Sequence, residues 1–303
     1  MRRAVVTGAA GNIGRPLVAE LRARGVDVFE IDHKPAWRDS YMTADIRNAS
    51  DLIGILDYQP DVIFHLASMV SRVTCESAPS MATDVNLVGT QNIIELAVRS
   101  GARLVYFSTS EVYGNTRDYM RETAEPRPNN RYGLTKLLGE RLVEYEAMTH
   151  GLDAITLRPF MMYDAEEDTG DHRSAMIRFA ENLADGRSIE VHNGSARGWL
   201  YVTDAVRAII RAGELREEPY LVVNIGHPDI RPMYHVAEMI CDALGASHDL
   251  IRTTVLPERM TLVKNPMLRR QEEILRVVPE VTLEEGIGRV CEMVMKRRRA
   301  RLQ

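Results

Sequence analysis

Apolar residues in the first two-thirds of the chain fall into two alternating kinds of run. Short β-branched runs (Ala4-Val5-Val6-Thr7, Val26 to Ile31, Asp61-Val62-Ile63-Phe64-His65 and Arg103-Leu104-Val105-Tyr106-Phe107) alternate with longer runs of helical period. Near-continuous apolar strands separated by helices are the mark of βαβ units, whose parallel strands are buried on both faces. The period predicts a helix over 12–24, ended near Gly25, and another over about 81–99. That second helix carries Val85, Leu87, Val88, Ile93, Ile94 and Leu96 on more than one side, so it needs cover beyond the sheet. A third helix is expected over about 131–149, apolar at 134, 137, 138, 142 and 145. The fold class expected is α/β, a doubly wound parallel sheet with a smaller C-terminal region.

The pattern loosens after Arg158-Pro159, and residues 164–173 are too charged to be core. Residues 1–160 are therefore read as the doubly wound domain and 161–303 as mainly the smaller region, with 198–225 returning to the first. The basic run Lys296-Arg297-Arg298-Arg299 reads as a solvated helix end, since cations suit a helix C-terminus. At 45% apolar and 27% charged residues the composition is that of a globular protein, which excludes disorder for the bulk of the chain. No apolar run approaches the roughly 18 residues of a membrane span, and Met-Arg-Arg leads into a strand rather than a signal peptide. A formal net charge of −5 argues against a general nucleic-acid binder. Cys75, Cys241 and Cys291 share no metal-type spacing and form no disulfide framework. The expectation is a soluble protein of a reducing cytoplasm, with neither nucleic acid nor membrane as partner.

Chemistry enters at Thr7-Gly8-Ala9-Ala10-Gly11-Asn12-Ile13-Gly14, between the first strand and the first helix. Glycines there let the backbone turn sharply and approach a pyrophosphate, which then rests on the helix N-terminal amides. Asp32, 18 residues beyond Gly14 at the end of the second strand, can accept the adenosine ribose hydroxyls of a dinucleotide. A 2′-phosphate would be repelled by that carboxylate, so NAD is expected over NADP, with Lys34 and Arg38 keeping the alternative open. Asp45-Ile46 stands where it can border the adenine, or Asp45 is a cap or turn residue. Tyr132 and Lys136, four apart, share one helix face. A phenol near pKa 10 is a poor base, and an adjacent cation favours its ionised form.

With these residues placed, the chain resembles an extended short-chain dehydrogenase/reductase of the NAD-dependent nucleotide-sugar epimerase/dehydratase group. The resemblance runs through Thr7-Gly8-x-x-Gly11-x-x-Gly14, Asp32, Asp45-Ile46, His65-Leu66-Ala67, Asn86-x-x-Gly89-Thr90 and Ser108-Thr109-Ser110-Glu111-Val112-Tyr113-Gly114. It continues through Tyr132-x-x-x-Lys136, Arg158-Pro159, Arg197-x-x-x-Tyr201-Val202-x-Asp204 and Asn224-Ile225-Gly226. It implies a Rossmann domain in which Gly8, Gly11, Asn12, Ile13 and Gly14 line the pyrophosphate of NAD and Asp32 its ribose. Asp45, Ile46, Leu66 and Ala67 complete the cofactor site. Tyr132 is then the acid/base, Lys136 holds the nicotinamide ribose, and Thr109 hydrogen-bonds the reacting hydroxyl. Ser110 and Arg197 are assigned to substrate, Arg197 to its diphosphate. Asn86 is read as ordering backbone beside the active-site helix, His65 as a core histidine, and Tyr201 and Asp204 as holding a strand and capping a helix. The resemblance also implies a homodimer built on the helices at 81–99 and 131–149.

One departure stands out. Where the group usually reads Arg-Pro-Phe-Asn-x-Tyr-Gly-Pro, this chain has Arg158-Pro159-Phe160-Met161-Met162-Tyr163-Asp164-Ala165, and Met161 cannot donate the asparagine's hydrogen bond. The expected function is modification of a nucleoside-diphosphate sugar through a transient 4-keto intermediate. Dehydration is favoured over C4 epimerisation and decarboxylation, because Glu111 lies two residues after Thr109 on the same face of an extended segment. There it would supply a second base or acid, or else pair with a nearby arginine. The alternatives carried are a dehydrogenase of a small hydroxy compound and a non-catalytic cofactor-bound regulator.

Overall fold

The computed structural model describes residues 1–116, 118–168, 174–216, 220–255 and 261–302. The first half runs β1 (Arg3–Thr7), α1 (Gly14–Ala23), β2 (Asp27–Asp32), β3 (Tyr41–Thr43), α2 (Gly54–Tyr58) and β4 (Val62–His65). Then come α3 (Arg72–Ser77), α4 (Pro79–Thr83), α5 (Gly89–Ser100), β5 (Arg103–Phe107), α6 (Arg131–His150) and β6 (Ala154–Pro159). The second half supplies β7 (Met161–Tyr163), α7 (Ala175–Ala184), β8 (Ile189–His192), β9 (Ala196–Tyr201), α8 (Val202–Glu214) and β10 (Tyr220–Ile225). It ends with β11 (Ile230–Pro232), α9 (Met233–Leu244), β12 (Ile251–Thr254), α10 (Arg269–Glu273) and α11 (Leu283–Leu302).

Seven strands form one parallel sheet in the order β10-β6-β5-β4-β1-β2-β3. The order reverses between β1 and β4, as a doubly wound sheet requires. Alternation within each apolar run sends side chains to both faces. Ala4, Val6, Phe64, Val105 and Leu157 enter one core cluster with α1 and α8, while Val5, Ile63, Leu104 and Tyr106 enter the other with α5 and α6. Ala4-Val5-Val6, Val62-Ile63-Phe64 and Leu104-Val105 are apolar without interruption because neither face meets water there, whereas β2 carries the buried Glu30, paired with Arg22 and Arg38.

The helix expected over 81–99 is interrupted. Between α4 and α5, residues Asp84–Val88 form a π-turn. Such a turn inserts an extra residue and re-aims a side chain. Here it buries Asn86, whose Oδ1 accepts from Met69 N at 2.7 Å and whose Nδ2 donates to Met69 O at 3.1 Å and Thr135 Oγ1 at 3.0 Å. Asn86 thus binds the segment after β4 to α6, as backbone-ordering residues do.

Beyond residue 160, β11-β9-β7 form a three-stranded sheet and β12 pairs with β8. Within 198–225, β10 closes the main sheet beside β6 and α8 packs in its core, while β9 belongs to the small sheet. In the charged loop, residues 169–173 lie outside the described residues. The basic tail is the end of α11, and it folds back: Arg297 donates to Glu167 O at 2.9 Å and Arg298 pairs with Asp185 at 3.3 Å. Among the described residues no helix is long and apolar enough to cross a membrane, and no cluster of metal-ligating side chains occurs.

Candidate active site

The carboxyl ends of β1, β2, β4 and β5 meet at the strand-order reversal, and the predicted site residues gather there. Gly8 turns with φ +72°, and a Cβ on it would come within 2.8 Å of Ala67 N. A Cβ on Gly14 would stand 2.2 Å from Gly8 O. The loop is therefore packed on itself and on Leu66-Ala67, with room for glycine alone. No side chain caps the start of α1. Arg15 N and Leu17 N donate to Gly11 O and Ile13 O, and Pro16 has no N–H, which leaves the Asn12, Ile13 and Gly14 amides for an anion. Asn12 Oδ1 lies 3.3 Å from Arg15 Nη2, which also pairs with Asp168 at 2.9 Å, and Ile13 packs against the core. The loop fits a pyrophosphate.

Asp32 is buried at the tip of β2, where its carboxylate accepts from Ala10 N at 3.0 Å and Lys34 N at 2.9 Å. Arg38 is not available to a 2′-phosphate, since its guanidinium pairs with the buried Glu30 and lies over the Tyr41 ring. Asp45 grips Arg47 through both carboxylate oxygens, and that hydrogen-bonded cation holds it below the usual carboxylate range. Ile46 is buried, and its carbonyl accepts from Asn92 at 2.9 Å.

The catalytic candidates are assembled by two turns pressed together. Thr109 caps the short turn Ser110–Tyr113, its Oγ1 accepting from Glu111 N at 3.2 Å. Asn130 caps α6, its Oδ1 accepting from Gly133 N at 2.9 Å while its Nδ2 donates to Glu111 Oε2 at 2.8 Å. A Cβ on Gly133 would lie 2.6 Å from Glu111 O, so glycine is what lets the start of α6 abut the Thr109 turn. Tyr132 is thereby brought beside Thr109 and Ser68. Burial pushes the Tyr132 phenol up, and the hydroxyls of Thr109 and Ser68 pull it back.

Lys136 is fully buried with Nζ 4.3 Å from the centre of the Tyr106 ring. It donates no hydrogen bond to any described residue, and burial pushes it down to about 7 against the pull of Glu140. A buried ammonium without an acceptor is costly, and a ribose diol would supply acceptors. Glu140, one turn further along α6, is committed to Arg158 at 2.7 Å. His65 lies between Thr7 Oγ1 at 2.8 Å and Thr90 Oγ1 at 3.1 Å, and burial holds it neutral at about 3.

Residues 4–226 match the NAD dependent epimerase/dehydratase family. The chain belongs to that family. It is 30% identical over 311 residues to the UDP-glucose 4-epimerase of Mycolicibacterium smegmatis, covering 96% of this chain and 97% of the relative. It is 28% identical to the UDP-N-acetyl-alpha-D-glucosaminuronate decarboxylase of Bacillus cytotoxicus, covering 94% and 95%. Its fold superposes on the UDP-glucose 4-epimerase of Thermotoga maritima, solved with UDP-glucose, at TM-score 0.90 and 24% identity, covering 97% and 99%.

Within this epimerase/dehydratase frame, several positions carry features that sequence reasoning missed. Lys264, 154 residues from Ser110, is buried and donates to Ser110 Oγ at 3.0 Å and Glu111 Oε1 at 2.5 Å. Burial pushes Glu111 up, but Lys264 and then Arg72 outweigh it and hold the carboxyl at about 2. Arg197 directs its guanidinium at Leu262 O and Thr261 O, each at 2.5 Å, and at Ala196 O at 2.7 Å. Arg72 acts electrostatically on Glu111, Arg197 and Lys264 yet has no hydrogen bond or ion pair among the described residues. Asp204, expected as a helix cap, instead accepts from Glu280 N and Val281 N at 3.0 Å and pairs with Arg207. The only signal for Lys264 or Arg72 was charge, and many charged residues are solvated.

Proposed function

We propose that this protein modifies a nucleoside-diphosphate sugar through a transient 4-keto intermediate. The observation that carries this reading is the placing of Tyr132 beside Thr109, next to a buried Lys136 that has no acceptor among the described residues, together with a glycine loop that fits a pyrophosphate. The glycine loop and the start of α1 would hold the cofactor pyrophosphate, Asp32 the adenosine ribose, Lys136 the nicotinamide ribose, with Asp45 and Ile46 towards the adenine. When NAD is bound, its nicotinamide supplies the hydride acceptor. Thr109 orients the C4 hydroxyl of the sugar and Tyr132 takes its proton, while Ser110 and Arg197 lie on the substrate side.

For the chemistry after C4 oxidation, dehydration is the reading that uses Glu111. A ketone at C4 acidifies the C5 proton, and an ionised carboxylate two residues from Thr109 can accept it. A second reading, inversion at C4, is favoured by the engagement of Glu111 with Lys264 and Asn130, which suits a structural role. The test is incubation of the NAD-loaded protein with UDP- and dTDP-sugars in D2O. Dehydration gives a 4-keto-6-deoxy product with deuterium at C5; a C4 epimer without deuterium assigns Glu111 to structure. No product from any nucleotide sugar in the panel would defeat the proposal. The same reading includes a homodimer.

A further inference from the structure

Lys264 reaches the site from the far end of the chain on a segment whose backbone is tied to the catalytic turn. Thr261 Oγ1 donates to Gly114 O at 2.9 Å, Met120 N to Asn265 O at 2.8 Å, and Met267 N to Met120 O at 3.0 Å. The backbone that carries Lys264 is therefore anchored on both sides, with Lys264 N itself donating to Ala196 O at 3.2 Å, and its ammonium is spent on Ser110 and Glu111. Burying an ammonium and a carboxylate costs several kcal/mol for each ion unless geometry and further hydrogen bonds offset it. This pair has such bonds at both carboxylate oxygens, from Lys264 and from Asn130. The groups facing Glu111 are Arg72 of α3, Tyr132 and Asn130 at the start of α6, Arg197 of β9 and Lys264 itself, and none of them is acidic.

We propose that Lys264 is a positioning residue for the reaction: it holds Glu111 as a carboxylate, with Ser110, beside the Thr109–Tyr132 pair, so that Glu111 can accept a proton but never arrives at the substrate as an acid. The reaction part rests on the function proposed above. In that step the C5–H bond breaks, the proton passes to a Glu111 oxygen, and the electron pair stays on the substrate as the enolate of its ketone. A lysine kept only for packing would leave the charge state of Glu111 alone.

Protein labelled with 13C at the glutamate side-chain carboxyl and loaded with NAD reports this titration directly, the Glu111 signal being the one missing from Glu111→Gln. Glu111 should stay ionised to about pH 3 in the parent, protonate at least roughly one pH unit higher in Lys264→Met, and return towards the parent in Lys264→Arg. With UDP-glucose as probe, the acid limb of kcat/KM should rise by the same interval in Lys264→Met. The double variant Lys264→Met/Glu111→Gln, which removes both buried charges together, should be no slower than Glu111→Gln. A Glu111 titration unmoved by Lys264→Met, or losses that multiply in the double variant, overturns the proposal. The titration needs no turnover, so inertness towards UDP-glucose would count against the proposed substrate class while Lys264 is still decided.

Discussion

Tyr132 and Lys136 share a helix face, yet their environments differ in a way that spacing does not reveal. The phenol lies beside the hydroxyls of Thr109 and Ser68, whereas the ammonium rests on the Tyr106 ring with no acceptor among the described residues. Tyr132→Phe should bind NAD nearly as the parent does and lose turnover by roughly 10² to 10⁴, the usual worth of a positioned acid/base. Stopped-flow absorbance at the NADH band, with equilibrium NAD titration, checks both halves. Arg72 has no hydrogen bond or ion pair among the described residues while Arg197 is occupied by backbone carbonyls, so Arg72→Met should raise KM for a nucleotide sugar by about tenfold with little change in kcat. An unchanged KM would leave Arg72 a surface cation. At this scale the glycines, Asp32, Thr109, Tyr132 and Lys136 were legible because their chemistry fixes their spacing. Asn130, Arg72 and Lys264 were not, since a cap, a lone arginine and a distant lysine look like solvated polar residues until the chain folds.

Elements bring these groups together by close approach, and glycine marks where. The start of α6 abuts the Thr109 turn only because Gly133 has no Cβ. Gly133→Ala should push the helix start away from Glu111 O, costing about 1–3 kcal/mol of stability and lowering kcat more than NAD affinity; thermal melts and kinetics on the same preparation separate the two. Helices α5 and α6 also leave Val98, Leu134, Leu138 and Met148 exposed, a stripe suited to a second copy. Light scattering at micromolar concentration should report a dimer, and Leu138→Asp, which places an uncompensated charge on that stripe, should shift it towards monomer. A parent that scatters as a monomer would refute the interface. Periodicity located these helices but not the π-turn at Asp84–Val88, because its cause is the demand of Asn86 for partners on two other elements.

Across the whole molecule, buried ionisable groups make stability depend on pH with a definite sign. His65 sits at about 3 in the folded protein against its ordinary 6.5, so between those values the unfolded chain binds a proton that the native state refuses. Stability therefore falls as pH drops below about 6.5, by up to about 1.4 kcal/mol per pH unit for one such proton. Glu111, at about 2 against 4.5, adds a second loss below about 4.5. Melting temperature should decline from pH 7 to 5, and His65→Gln, though less stable at pH 7, should show a flatter slope over that range. The sequence by itself determined the parallel sheet, the helices on both its faces and the ends of β1, β2 and β5 as the place where the candidate site residues gather. Apolar period and glycine spacing are local, and local patterns survive without the fold. Only the tertiary structure decided that β9 leaves the main sheet while β10 closes it, that Arg197 meets the Thr261 and Leu262 carbonyls, and that Lys264 stands against Glu111. These depend on which distant segments pack together, and a buried charge finds its partner only when packing has removed the water that would otherwise solvate both.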